Sequence, residues 1–486
     1  MKKYLLGLLS LLLFLAGCQK PDPVEPEVIA GPKLVSSVPA DGAEDAPYGD
    51  VSVKLVFNAS VICPTKQQSR ITVTGGATVA SVNAVSREVT VILTGLVPET
   101  TYTLSFPEGT VIGYKDNVAE AFSITFMTKP VPESNLSKSL VNPDASVEAR
   151  NVYGFLLEQN GKKTLSGVQS SHSHKNDFID AVYNHTGQHP ALAGYDFLFL
   201  QYSPTPDGWS WVQNYNDISA PKEQWAANGL VNYMWHWNVP NSEAAWKAGV
   251  ENYDFNGYAF YCDQTSFDIR EALKEGTWQH DFIMKDIEEV AGYLQLLENE
   301  NIPVIWRPLH EAAGNYTLYG PNGAWFWWGR HGAEPCKQLW RLMYDQLVNV
   351  YGLDNLIWVW TVDVTRGAED QYLDWYPGDE YVDILGVDIY ETNTEAKTRQ
   401  YQALVDLTNG KKLVTISECG NIPDPAKCMD AGNMWSWFMV WCNADSNGNV
   451  LLNTPNDNFK LNTEDYWNQV MSSPYVLTRE SMPSLK

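Results

Sequence analysis

Two glutamates in this chain stand where a buried strand would be ending. Glu311 lies in IWRPLHEAAG (305–314) and Glu418 in ISECG (416–420), 107 residues further on. An acid at the end of an apolar run is costly to bury unless it has a partner or a task. Facing each other across a cleft, two carboxyls can hydrolyse a glycosidic bond. One, protonated, donates to the departing oxygen; the other, ionised, attacks or directs water. Apolar walls and mutual repulsion would separate their proton affinities and so assign the roles. Arg307 is expected one layer below Glu418, as the positive partner that keeps a carboxylate ionised. The bland reading is a buried Arg307–Glu311 ion pair with no chemistry; the second glutamate weighs against it.

For these side chains to meet, the chain must bring distant strand ends to one rim. From about residue 148, short apolar runs alternate with longer amphipathic ones. The apolar runs are LSGVQS (165–170), PALAGYDF (190–197), LVNYMWHW (230–237), PVIWRPLHE (303–311), NLIWVWTV (355–362), DILGVDIY (383–390), KLVTISECG (412–420) and SWFMVWCN (436–443). Helical spacing marks 281–301 and 333–352 between them. Eight strands alternating with helices predict an α/β fold, a (β/α)8 barrel, whose chemistry lies at the strands' carboxyl ends. A doubly wound sheet is the alternative, but no Gly-rich phosphate loop follows the first strand. The strand ends carry His172 and His174, Asp196, His236, Glu311, Asp363, Tyr390, Glu418 and Trp441. Strict alternation would send His310 and Glu311 to opposite faces, so the fourth strand is expected to end in a bulge or twist.

The rim is also rich in aromatics. GAWFWWG (323–329) and YMWHWN (233–238) offer flat faces to the C–H face of a pyranose, while polar groups take its hydroxyls. Trp306, Trp340, Trp358 and Trp467 are expected in the core. In order, WRPLHEAAG, GAWFWWG, LGVDIY and ISECG resemble glycoside hydrolase family 26, over most of 150–445. The resemblance implies a retaining endo-β-1,4-mannanase with Glu311 as acid/base and Glu418 as nucleophile. It further implies that His310, His236 and Trp325 contact the sugar, that Tyr390 hydrogen-bonds the nucleophile, and that Trp441 forms the floor under the cleaved unit. β-1,3-Xylanase and mixed-linkage glucanase activities occur in the same family and stay open. One departure is NYTLYGPN (315–322), which lengthens the loop before the aromatic motif and puts the placement of Trp325 in question.

The first 208 residues have no tryptophan, whereas all 19 lie between Trp209 and Trp467. The runs Val51-Val53-Leu55-Phe57, Val89-Val91-Leu93, Tyr102-Leu104-Phe106 and Phe122-Ile124-Phe126 alternate with period two between turn residues. That predicts an antiparallel β-sandwich, and the segment resembles bacterial Ig-like domains. It reads as a spacer. The expected organisation is a signal peptide (1–17), a linker (18–31), the sandwich (32–129), a second linker (130–147) and the barrel (148–480). Lys2 and Lys3, an apolar run and Leu15-Ala16-Gly17-Cys18 resemble a lipoprotein export signal. The resemblance implies lipidation at Cys18 and a cell-envelope location, facing the periplasm or the surface.

The net charge of −25 and the lack of a basic patch argue against nucleic acid and acidic polymers, and suit a neutral polysaccharide. A monomer is expected, with no cofactor and no metal. The other six cysteines show no CxxC spacing; an oxidising compartment would allow disulfides whose pairing is not readable. His172 and His174 form a His-x-His that could ligate a metal in an amide hydrolase. Such a site needs histidines from later strands, and none follows His331. A non-catalytic glycan-binding lipoprotein is the remaining alternative, against which both retained glutamates argue.

Overall fold

The computed structural model describes residues 30–486, apart from 115, 131–134, 170–174, 204–213, 314–323, 364–371, 442, 445–449 and 452–459. Cys18, His172, His174 and the 315–322 loop lie outside the described residues. The N-terminal part is a sandwich of antiparallel strands. One sheet holds Leu34–Val38, Gly49–Phe57, Thr78–Val85 and Glu88–Leu96; the facing sheet holds Thr72–Val73, Thr101–Phe106 and Phe122–Met127. Along Gly49–Phe57 burial alternates at every residue, as a strand with one wet face requires. Val53, Leu55, Val89, Val91, Tyr102, Leu104 and Ile124 meet in the core between the sheets.

The larger part is a closed parallel barrel. Its strands are β1 (Thr164–Gln169), β2 (Leu192–Asp196), β3 (Leu230–Met234), β4 (Val304–Arg307), β5 (Leu356–Asp363), β6 (Ile384–Ile389), β7 (Leu413–Cys419) and β8 (Trp437–Val440). β1 pairs with both β2 and β8, which closes the ring. Every residue of these strands is buried, as expected of parallel strands covered by helices outside and filled by side chains inside. Trp278–Glu298 and Ala333–Tyr344 are the two helices read from periodicity, the second running on as a π-helical turn to Val350. Thr277 caps the first by accepting the His280 N–H. Trp306, Trp340, Trp358 and Trp467 are buried.

Two expectations need correction. The fourth strand does not run through Glu311 and is not bulged there: it stops at Arg307, and Leu309 (φ 49°) and Glu311 (φ 52°) take left-handed backbone. The bulge falls in β7 instead. Val387 pairs with Ile416 but Asp388 with Glu418, so Ser417 is the extra residue. The segment 130–147 is no free linker either. Its described part is docked on the barrel: Ser137 N–H donates to Lys411 O, Val141 N–H to Asp383 Oδ1 at 2.6 Å, and Leu140 is buried. No described helix is long and apolar enough to cross a membrane. Cys63, Cys262, Cys336 and Cys428 are buried and unbridged, and Cys419 is buried.

Candidate active site

The β7 bulge is what aims Glu418. Without it, adjacent residues of a strand face opposite sides. With it, Ser417 and Glu418 both turn inward. Ser417 Oγ meets Thr361 Oγ1 of β5 at 3.1 Å, beside Gly386 of β6, where a Cβ would come within 2.1 Å of Ser417 Oγ. A glycine is therefore required at 386 to let the hydroxyl pair cross the barrel. One step nearer the mouth, Asp363 of β5, Asp388 of β6 and Glu418 of β7 fall in register.

Glu311 joins this row from the other side. The left-handed turns at 309 and 311 fold the chain back after β4, and the Glu311 N–H donates to Thr361 O at 3.2 Å. Left-handed non-glycine residues persist where surroundings over-determine them, and they cluster at functional sites. One carboxylate oxygen from each of Glu311, Asp388 and Glu418 lies within 4.8 Å of the others. All three are buried.

The two glutamates receive opposite treatment. Arg307, with no exposed surface, donates to Glu418 Oε1 at 2.5 Å and to Asp388 Oδ2 at 3.3 Å. Tyr390 O–H donates to Glu418 Oε2 at 2.7 Å. Both Glu418 oxygens thus accept from donors, one of them cationic. Glu311 accepts only the neutral Trp325 Nε1–H among the described contacts, at 2.9 Å on Oε2. Burial, followed by the charges of Asp363, Asp388 and Glu418, pushes its carboxyl well above the ordinary carboxylate range, against the pull of Arg307. Burial and Glu418 push Asp388 up as well. Three clustered acids could in principle hold a cation. Here the guanidinium of Arg307 already sits against two of them, so the charge balance is supplied by the protein.

The remaining named residues surround the pair. His236, after β3, is held by Asp196: its Nδ1 lies 2.6 Å from Oδ2 and its N–H donates to Oδ1 at 3.0 Å. That contact fixes the orientation of the imidazole. His310 stacks edgewise on His236 (ring centroids 4.7 Å apart) and against Phe326, and its Nδ1 has no hydrogen-bond partner among the described residues. Burial, with His236 and Arg307 nearby, holds it well below the usual histidine range, hence neutral. Trp441 follows β8 half-buried, its N–H on Cys419 O and its ring 6.0 Å from His236. Tyr390 lies one residue past β6. The lengthened loop does not displace Trp325 from the acid, as its bond to Glu311 shows.

Sequence reading assigned no role to four neighbours: Asp196, Asp363, Asp388 and Tyr261. The first three stood at strand ends, where their position was the available signal. Tyr261 gave none. It arrives through a bridge between Tyr261 and Phe326, lies 6.0 Å from the Trp325 ring, and has its hydroxyl pushed up by burial and by Glu311.

Comparison with known proteins agrees with this architecture. A bacterial Ig-like domain profile matches residues 29–128, and the glycosyl hydrolase family 26 profile matches 141–462. A mannan endo-1,4-beta-mannosidase of Thermothelomyces thermophilus is 35% identical over 73% of this chain and 65% of its own length. Mannan endo-1,4-beta-mannosidase B of Piromyces is 36% identical over 63% of this chain and 49% of its own. The chain thus spans about half to two thirds of these curated relatives. Among solved structures, a beta-mannanase from a symbiotic protist of the termite Reticulitermes speratus, complexed with gluco-manno-oligosaccharide, superposes with TM-score 0.59 at 32% identity, over 72% of this chain and 99% of that one. The family-26 domain of an endo-beta-mannanase/endo-beta-glucanase from Prevotella bryantii gives 0.60 at 33%, over 71% and 99%. With the barrel, the four ordered motifs and these matches in agreement, the chain belongs to glycosyl hydrolase family 26.

Proposed function

We propose that the protein is a retaining endo-β-1,4-mannanase acting on mannan, galactomannan or glucomannan. The observation that carries this is the short spacing of Glu311 and Glu418, oxygens within 4.8 Å, combined with their opposite hydrogen-bonding environments. Carboxyls about 5–5.5 Å apart suit double displacement, whereas inversion needs a wider gap to admit water. Glu418, whose two oxygens accept from Arg307 and Tyr390, attacks the anomeric carbon as Glu311 passes its proton to the departing glycosidic oxygen. Glu311, now ionised, takes a proton from water, which attacks the anomeric carbon from the face the glycosidic oxygen left and displaces Glu418. Two inversions leave the anomeric configuration unchanged. His236, His310, Trp325, Tyr390 and Trp441 line the sugar's place. Mannan is favoured because these relatives are named for mannan hydrolysis.

The test is product analysis by NMR and chromatography on mannan, β-1,3-xylan and mixed-linkage glucan. The expected result is β-configured manno-oligosaccharides first. An α-configured first product would refute the mechanism, and cleavage of only xylan or mixed-linkage glucan would refute the substrate. Glu418→Ala should abolish turnover, whereas Glu311→Ala should still glycosylate from aryl glycosides with good leaving groups. From the sequence features alone, Cys18 is proposed to carry the lipid that anchors the chain to the cell envelope. Cys18→Ala should then shift the protein from the membrane fraction to the soluble one.

A further inference from the structure

We infer that the Ig-like sandwich is part of the active-site scaffold: seated on Thr398, it braces the Lys397–Glu391 pair that positions Tyr390 on Glu418. The sequence suggested a passive spacer. The contacts describe a docked module. Gly49 (φ 84°) lies so close to the helix Thr398–Leu407 that a Cβ there would come within 2.1 Å of the Thr398 methyl. Tyr48 is buried, with Gly432 of the barrel beside its ring. Lys129 Nζ lies 3.5 Å from Asp406 on the same helix.

Under this seat the contacts run inward without a gap. Lys397 immediately precedes the helix, is 4% exposed, and takes left-handed backbone (φ 58°), a conformation an ordinary residue keeps only where its surroundings impose it. Its ammonium meets Glu391 Oε2 at 3.0 Å and also donates to Asn393 O at 3.2 Å. Gln400 from the helix donates to the other Glu391 oxygen at 2.7 Å. Glu391 follows Tyr390 in the chain. The backbone there is clamped on both sides: Gly420 N–H donates to Ile389 O and Asn421 Nδ2 to Glu391 O. Tyr390 has little freedom while this clamp holds, and its hydroxyl supplies one of the two donors on Glu418. Lys397 and Glu391 are thus positioning residues, the lysine buried and the glutamate partly exposed, and the sandwich braces their pair through Thr398.

This inference rests on the assignment of Glu418 as nucleophile, so the experiment reads structure as well as turnover. In the full chain, Gly49→Val wedges the sandwich off Thr398 and Lys397→Met removes the ammonium. Hydrogen exchange is followed over 384–397 and 413–421, and kcat and KM are measured on mannan. In both variants, exchange over 390–397 should quicken and kcat should fall about 10- to 100-fold, the cost of a small misplacement at the reacting centre. KM should change less than kcat, because the substrate contacts other than Tyr390 are intact. The combined variant should be no slower than the slower single one, as expected of residues acting as a unit. Should Gly49→Val unfold the sandwich, the seat is lost all the same, and Lys397→Met tests the barrel side alone. Wild-type exchange and kcat in Gly49→Val, or a Lys397→Met enzyme with lowered melting temperature but unchanged kcat, would overturn the inference. A wild-type chain that cleaves no mannan refutes the proposed function instead, and the exchange measurement still decides this one.

Discussion

Arg307→Met offers the sharpest test of the site's electrostatics. The guanidinium is fully enclosed, 2.5 Å from Glu418 and 3.3 Å from Asp388, with Glu311 in the same cluster. Methionine keeps most of the volume and removes the charge. Breaking a buried pair by deleting one partner costs about 3–5 kcal/mol, because the other charge is left buried and unpaired. At about 2–4 °C per kcal/mol for a large domain, the barrel should melt roughly 6–20 °C lower near neutral pH. The loss should depend on pH, with a sign that follows from the carboxyls. Glu311 and Asp388 already lie well above the ordinary range and would rise further without the cation. A folded-state value above the unfolded one means the native state holds more protons, so stability falls as pH rises between the two values. The deficit should therefore shrink on acidification and be smallest below the unfolded carboxylate range. Thermal unfolding of wild type and variant across about pH 4–8 measures it. An unchanged melting temperature, or a deficit that grows toward acid, would refute the picture of an arginine balancing clustered acids.

Because Glu311 must be protonated to donate and its carboxyl is raised, the basic limb of kcat/KM should lie above the ordinary carboxylate range. A limb near pH 4 would remove Glu311 from that role. Trp325→Phe deletes the one described donor on Glu311 while keeping a flat ring; kcat should fall about tenfold, as for one lost hydrogen bond, with binding less affected. Gly386→Ala forces a methyl into the Thr361–Ser417 crossing and should cost about 1–3 kcal/mol by chemical denaturation, with activity lowered through the β7 bulge.

Much of the barrel was legible because each strand is a short, fully buried run and each helix shows its own period. The glutamate pair was legible for a related reason. Charged residues at the ends of such runs stand out, and two on one rim suggest a reaction. His236 and Tyr390 were found the same way, and Arg307 was expected beneath Glu418, where it makes its shortest contact. What periodicity could not place was the backbone between regular elements. Alternation demanded an irregularity near Glu311 and put it in β4; the structure ends β4 early, turns left-handed at 309 and 311, and places the bulge in β7.

From sequence alone, then, come the two-part organisation, the eight strands and the identity of the paired acids, because burial and alternation are local properties of neighbouring residues. The tertiary structure decided the rest. Ring closure sets the register that aligns Asp363, Asp388 and Glu418, and one inserted residue in β7 settles which of two adjacent side chains reaches the mouth. The arrival of Tyr261 beside Trp325 and the seating of the sandwich on Thr398 are contacts between segments far apart in the chain. Such contacts depend on how whole elements pack, so no local pattern of residue types encodes them.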